Sequence, residues 1–290
     1  MKIRFSGGLP YMLASTLFFS GMNLLIKTVS HLPTAELVFV RCGIALLICI
    51  AELKNRNVSL TGKNKGLLFA RGLFGTIAVF TFFYSLSGLP LGTAVTIQYL
   101  SPIFTSILAI FMLRENIRWP QWLFYLISFS GVYWMQGESA SGKDFLLIAL
   151  GLFSAFCSGL AYNTVRKLSG LEDPVVVVLH FQILGTLAGA FFCIFKWVTP
   201  SATDWLCLSG IGLLTYLGQK NLTLALQKEK IGDISIFNYL GIAYALVFGY
   251  FFFGEIPDKR AFAGIALVLT GVILNFIYIK NNQNKNAALS

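Results

Sequence analysis

The chain has 290 residues, 56% of them hydrophobic and 12% charged, with a formal net charge of +10 and a mean hydropathy of +0.74. A soluble domain is about 45–50% apolar and about 25% charged, and a soluble monomer rarely exposes the large apolar patches this composition would force on it, so a soluble enzyme, a nucleic-acid-binding protein and a disordered chain are all excluded. The 22 Lys and Arg do not form a basic tract; they stand singly or in pairs at the ends of apolar runs, the pattern that membrane topology imposes.

A helix needs about 20 mainly apolar residues to cross a bilayer. Such runs lie near 8–27, 35–53, 66–87, 93–113, 119–136, 144–164, 174–195, 204–226, 232–253 and 260–279. They predict an all-α integral membrane fold of ten transmembrane helices. The first run follows Lys2 and Arg4 as a secretory leader would. Its length, and the lack of an A-x-A-like site after it, make it a retained span. With the N-terminus in the cytoplasm, the inside segments hold fourteen Lys and Arg. The outside segments hold five (Lys27, Lys143, Lys196, Lys259 and Arg260), and Arg41, Arg71 and Lys220 lie within spans. This bias puts both termini in the cytoplasm, with 281–290 expected as a disordered tail. The five cysteines (Cys42, Cys49, Cys157, Cys193 and Cys207) sit in apolar runs with no C-x-x-C spacing. They read as small core hydrophobes rather than a disulfide or metal framework.

Shifting the chain by 140 residues superposes its two halves, 1–137 and 138–280. Asn23 falls on Asn163, Lys27 on Lys167, Gly72 on Gly212, and Gly92 on Gly232. Tyr99-Leu100 falls on Tyr239-Leu240, Glu115 on Glu255, and Gly131-Val132 on Gly271-Val272. Five spans map onto five. Because five is odd, the second copy enters the bilayer upside down, and inverted repeats are a recurring design of carriers that open one central site to each side in turn.

The stretch from Arg71-Gly72 through Tyr84, Leu89-Pro90-Leu91-Gly92 and Ser101-Pro102-Ile103-Phe104 to Leu113-Arg114-Glu115 resembles the third and fourth spans of the EamA-type branch of the drug/metabolite transporter superfamily. Phe253-Gly254-Glu255 is similar to the corresponding motif of the second half, although Gly241-Ile242 stands where the first half has Ser101-Pro102. The resemblance covers nearly the whole chain. It implies a multi-pass carrier of the bacterial inner membrane for amino acids, nucleotide-like metabolites such as S-adenosylmethionine, or other small organic solutes.

Polar groups are expensive in hydrocarbon and usually face a partner or a wet cavity. The strongest constellation is Gln98-Tyr99 in the fourth span with its counterpart Asn238-Tyr239 in the ninth. Each pair lies about 9 Å into the bilayer from opposite faces, at 1.5 Å per residue. Pro102 cannot donate to the Gln98 carbonyl four residues back, which frees that oxygen for substrate or water. Interhelical bonding is the competing role for these amides. Arg41, Arg71 and Lys220 are in-span cations, while no Asp or Glu occupies a span centre. That asymmetry favours a carboxylate or phosphate on the substrate, against a reading in which the cations snorkel or bond helix carbonyls. Asn23 and Asn163 face the interior as binding or structural groups. His180 is a candidate solute-binding or proton-carrying group, or packs as a hydrogen-bonded side chain. Gly185-x-x-x-Gly189 reads as a close helix contact, and Trp119, Trp122, Trp197 and Trp205 as interfacial anchors.

The expected function is a carrier of a small polar metabolite across the lipid bilayer, as exchanger or facilitator. Proton-coupled export of amino acids or drugs is the alternative. A channel would need a pore-lining ring from oligomer symmetry. A membrane enzyme would need a metal cluster or an acid/base pair, and the sequence holds no such catalytic constellation, metal set or cofactor motif. The chain is a monomer or a homodimer, a choice left open at this level.

Overall fold

The computed structural model describes residues 7–135, 142–229, 237 and 239–289. Among these the regular structure is entirely helical: α1 (Leu9–Thr28), α2 (Thr34–Asn55), α3 (Lys65–Gly88), α4 (Leu91–Gln98), α5 (Ser101–Met112), α6 (Trp119–Met135), α7 (Gly142–Lys167), α8 (Pro174–Cys193), α9 (Ala202–Lys228), α10 (Leu240–Phe253) and α11 (Lys259–Leu289). Proline marks several starts, where its missing N–H costs nothing. Pro10 lies in the first turn of α1, Pro33 and Pro90 immediately precede α2 and α4, and Pro174 opens α8. Side-chain caps stand at two loop junctions. Asp173 accepts from Val175 N–H at 2.8 Å, and Ser201 and Asp204 close a reciprocal capping box on α9.

Seven apolar helical stretches of 20–24 residues are long enough to cross a membrane: α1, α2, α3, α4 joined to α5, residues 144–167 of α7, α8, and residues 259–282 of α11. Of the rest, α6 has 17 residues and α10 has 14, while α9 is longer but carries the polar run Gly218-Gln219-Lys220-Asn221. Leu47, Phe111, Leu206 and Phe251 are 68–78% exposed. That is tolerable only where the solvent is lipid.

Helices 140 residues apart pair as α1/α7, α2/α8, α3/α9, α4–α5/α10 and α6/α11. Their packing is reciprocal. α1 packs on α9 and α7 on α3; α2 packs on α9 and α8 on α3; α5 packs on α7 and α10 on α1. α2, α4 and α6 pack on their own counterparts α8, α10 and α11. Such an isologous pattern requires a two-fold axis, and residues that touch their own counterparts must lie beside it. Three do so. Ser128 Oγ–H reaches Val268 O at 3.3 Å, the Tyr99 and Tyr239 ring centroids are 5.9 Å apart, and the Arg41 guanidinium lies 5.7 Å from the Phe181 ring.

The repeat also holds at helix ends. Arg114 and Gly254 both take left-handed backbone, at φ 55° and 63°. Glu115 N–H and Glu255 N–H then return to the carbonyls six residues back, Ala109 O at 3.2 Å and Gly249 O at 3.0 Å. This places two carboxylates at equivalent corners. One expectation needs correction. The fourth span is two helices, because Pro102 lacks an N–H. Around it Leu100 N–H and Ile103 N–H bond three residues back, to Ile97 O and Leu100 O, instead of four. The α11 backbone runs as helix to Leu289.

Candidate functional site

A cavity of about 100 Å³ lies between the two repeats, with walls from α1, α2, α3, α4, α5, α7, α8 and α9. Tyr99, Arg41 and Phe181, which mark the two-fold axis, all border it. Five of the sequence candidates line this space: Asn23, Arg41, Arg71, Gln98 and Tyr99. Asn238 falls outside the described residues. The axis explains the location. On the axis, helices of both repeats wall the same space.

The cavity groups differ in how fully they are engaged. Arg71 and Arg41 are 2% and 1% exposed. Arg71 Nη2 donates to Gln219 Oε1 at 3.0 Å, and its guanidinium carbon sits 4.5 Å from the Phe181 ring centroid. Arg41 lies 5.1 Å from the Phe83 ring. Arg71 Nε, Arg41 Nε and Nη2, and Asn23 Oδ1 are buried without a hydrogen-bond partner. Gly75 makes the Arg71 position possible, for a Cβ there would stand 2.2 Å from Arg71 Nη1 and 2.8 Å from Phe181. Gln98, by contrast, is engaged with α7. Its Nε2 donates to Ser158 Oγ at 2.9 Å, and Ser154 Oγ–H is shared between Gln98 Oε1 at 2.9 Å and Ala78 O at 2.6 Å.

The other candidates lie off the cavity wall. Lys220 Nζ donates to both Glu52 oxygens at 2.8 and 2.9 Å, which neutralises it. Asn163 Nδ2 donates to Thr105 O at 2.8 Å and so ties α7 to α5, although its counterpart Asn23 faces the cavity. His180 Nδ1 is 2.9 Å from Val176 O one turn back. Tyr239 is buried against Tyr99. The Gly185 and Gly189 notches receive Cys42 and Phe39 of α2, a close packing contact. Trp119, Trp122, Trp197 and Trp205 are all at least 36% exposed.

Sequence reasoning missed Gln219, Ser154, Ser158, Tyr162 and Phe181. Ser154, Ser158 and Tyr162 are spaced i, i+4, i+8 on α7 and therefore share one helix face, a polar stripe visible in the sequence. Gln219 adjoins Lys220, and the 100° step between them sends one to Arg71 and the other to Glu52. Phe181 is the counterpart of Arg41 and was open to the same 140-residue comparison.

Beyond the cavity, ion pairs join the repeats at equivalent corners. Lys27 at the end of α1 pairs with Glu255 at 3.2 Å and donates to Leu89 O, while Glu255 Oε2 accepts from Leu91 N–H at 2.7 Å. The related corner holds Arg166 at the end of α7, paired with Glu115 at 2.6 Å. The five cysteines are free. Among the described residues, no group of three or more His, Cys, Asp and Glu is placed to hold a metal ion.

A two-fold pair of helical repeats, lipid-exposed apolar faces and a polar cavity on the axis define a multi-pass membrane protein of the transporter class. Residues 6–136 and 145–277 each match the EamA-like transporter family, to which this chain belongs. Among curated relatives, it is 30% identical over 271 residues to the pseudopaline exporter CntI of Pseudomonas aeruginosa (strain UCBPP-PA14), covering 92% of this chain and 95% of that protein. It is 30% identical over 279 residues to solute carrier family 35 member G1 of Mus musculus, covering 90% and 76%. A solved crystal structure shares the fold at 18% identity and a TM-score of 0.70, covering 94% of this chain and 98% of that one. The protein is a cell-membrane transporter of small molecules.

Proposed function

We propose that this transporter is an alternating-access carrier of a small polar organic solute, working as an exchanger or facilitator in the bacterial inner membrane. It has ten spans in two inverted five-span repeats, 1–137 and 138–280, with both termini in the cytoplasm. The observation that carries this reading is the coincidence of cavity and axis: Tyr99 and Arg41 border the cavity while touching their own repeat counterparts. Two halves pivoting about that axis exchange conformations without moving the site. In the ten-span topology the Lys27–Glu255 and Arg166–Glu115 corners lie at opposite membrane faces. With both formed, the site is closed to both sides; opening one corner at a time gives alternate access.

Arg41, Arg71, Asn23, Tyr99 and Gln98 bind the solute or line its path. Tyr239, Asn163, Lys220 and His180 hold the helices that present them, and Asn238, the counterpart of Gln98 in the sequence, is kept as a solute-binding candidate. Uncoupled exchange is favoured over proton coupling, because His180 is bonded within its own helix and the described cavity lining contains no Asp or Glu. Counterflow into proteoliposomes without an ion gradient, against pooled labelled amino acids, carboxylates, nucleotides and neutral vitamins, tests the reading. Saturable uptake that depends on internal unlabelled solute is expected. Uptake that never saturates identifies a channel instead, and uptake that appears only under an imposed pH gradient identifies a proton-coupled exporter.

A further inference from the structure

The two cavity arginines are buried cations with no carboxylate partner among the described residues. Each is almost fully buried, and between them three guanidinium nitrogens lack a partner. Among the described residues, the hydrogen bond this pair donates goes to a neutral amide oxygen, Gln219 Oε1. The third in-span cation shows the contrast, since Lys220 lies against both oxygens of Glu52. A buried charge is normally paired and hydrogen-bonded, because desolvation otherwise outweighs what it gains.

The fold itself does not call for these charges. At the equivalent places in the second repeat stand Phe181 and Ile211, so apolar residues satisfy the same packing role there. Arg41 and Arg71 face the same Phe181 ring at 5.7 and 4.5 Å, which brings their guanidinium carbons within about 10 Å of each other. A guanidinium held over a ring face keeps its in-plane N–H edge free for two-point contact with an acid group. Gly75 supplies the notch that lets Arg71 lie there. Asn23 Oδ1, buried and unpartnered on the same cavity wall, adds an acceptor.

We infer that the solute is a small dianion, bearing two carboxylates or a phosphate, whose acid groups bind Arg41 and Arg71 across the Phe181 ring while Asn23 accepts from a hydroxyl or amine of the same molecule. The inference rests on the carrier reading and deepens it. It selects against net-cationic solutes, which would add like charge to an unneutralised pair.

The test uses the full chain, in detergent for ligand-dependent thermal stability and in phosphatidylcholine vesicles for counterflow. The anionic probes are malate, citrate, inorganic phosphate and glycerol phosphate; riboflavin is the neutral probe and S-adenosylmethionine the cationic one. At least one anion is expected to stabilise and to exchange, and carboxylate against phosphate probes tells which acid group is read. Arg41→Gln and Arg71→Gln should each weaken that anion about 10-fold to 100-fold, as expected for losing a charge-assisted contact. Arg41→Phe, which installs the residue of the second repeat, is the fold-preserving control and should show the same loss. Gly75→Ala keeps both charges but fills the notch, and should weaken the anion without reversing the charge preference. Riboflavin or S-adenosylmethionine exchanging while no anion exchanges or stabilises would overturn the dianion site and leave the carrier standing. Anion stabilisation that depends on both arginines, without exchange of any probe, would support the site and overturn the carrier reading. No stabilisation and no exchange in monodisperse, helical protein would overturn both.

Discussion

Neutralising Glu255 should bias the carrier toward opening at the corner it closes. In Glu255→Gln the new amide oxygen still accepts from Leu91 N–H, now at 2.7 Å, and Lys27 keeps its bond to Leu89 O. What is lost is the charge–charge part of a pair 3.2 Å apart, whose side chains are 13% and 21% exposed. Exposed pairs contribute about 0.2–1 kcal/mol and breaking fully buried ones costs about 3–5 kcal/mol. A partly buried pair that keeps its other hydrogen bonds belongs near 1 kcal/mol, a factor of about 5 in population. The assay is the labelling rate of a cysteine at Ser101, on the cavity wall, by a membrane-impermeant maleimide in a background free of the native cysteines. Labelling from the Lys27–Glu255 side should rise about fivefold in Glu255→Gln and fall by a similar factor in Glu115→Gln, because the second substitution releases the opposite corner. Equal shifts in the same direction, or unchanged rates in both variants, would refute the assignment of these pairs as gates.

Gly131→Ala should lower stability by about 1–3 kcal/mol, read as a drop in the thermal unfolding midpoint. Its Cβ would stand 2.5 Å from Gly264 O and 2.9 Å from Val268 N, backbone atoms of α11 that cannot rotate aside; Gly66→Ala, with nothing within 4 Å, is the control and should not destabilise. The double substitution Glu52→Gln with Lys220→Met should leave the solute charge preference unchanged in counterflow, because these groups neutralise each other away from the cavity. Lys220→Met alone should destabilise more than the double variant by stranding Glu52. In the α7–α8 loop, partial burial pushes the Glu172 carboxyl up, but N–H groups of Asn64 and Lys63 at 2.5 and 2.6 Å outweigh it and leave its pKa lowered from 4.5. A lowered native value stabilises the fold above pH 4.5 and loses that contribution as pH falls through the native pKa. The stability gap between wild type and Glu172→Gln should therefore be full at neutral pH and close on acidification, measured by unfolding across an acid series.

Much of this molecule could be read one residue at a time. Composition decided for the membrane, because no polar surface was available to cover so much apolar side chain. The 140-residue offset foretold the reciprocal packing, since each match is a local choice made twice: Glu115 and Glu255 even end equivalent helix corners with the same backbone bond. Pro102 marked where a carbonyl of the fourth span loses its donor, because the missing N–H is a covalent property of the residue, but the division into two helices showed only in the structure.

The site was legible only as a shortlist. An isolated polar residue in an apolar helix shows its expense but not its direction, and helices apolar on every side carry no amphipathic phase to supply one. Asn23 and Asn163 are equivalent in sequence, yet one faces the cavity and the other bonds Thr105 O. Gln98 finds its partners on α7, and Lys220 finds Glu52 on α2. Arg71 finds Gln219 on α9, and with Arg41 it borders the Phe181 ring and the cavity. Sequence determined which groups had to be satisfied; tertiary structure decided which were, because each partner comes from a helix distant in the chain and is set only when the two repeats close around their axis.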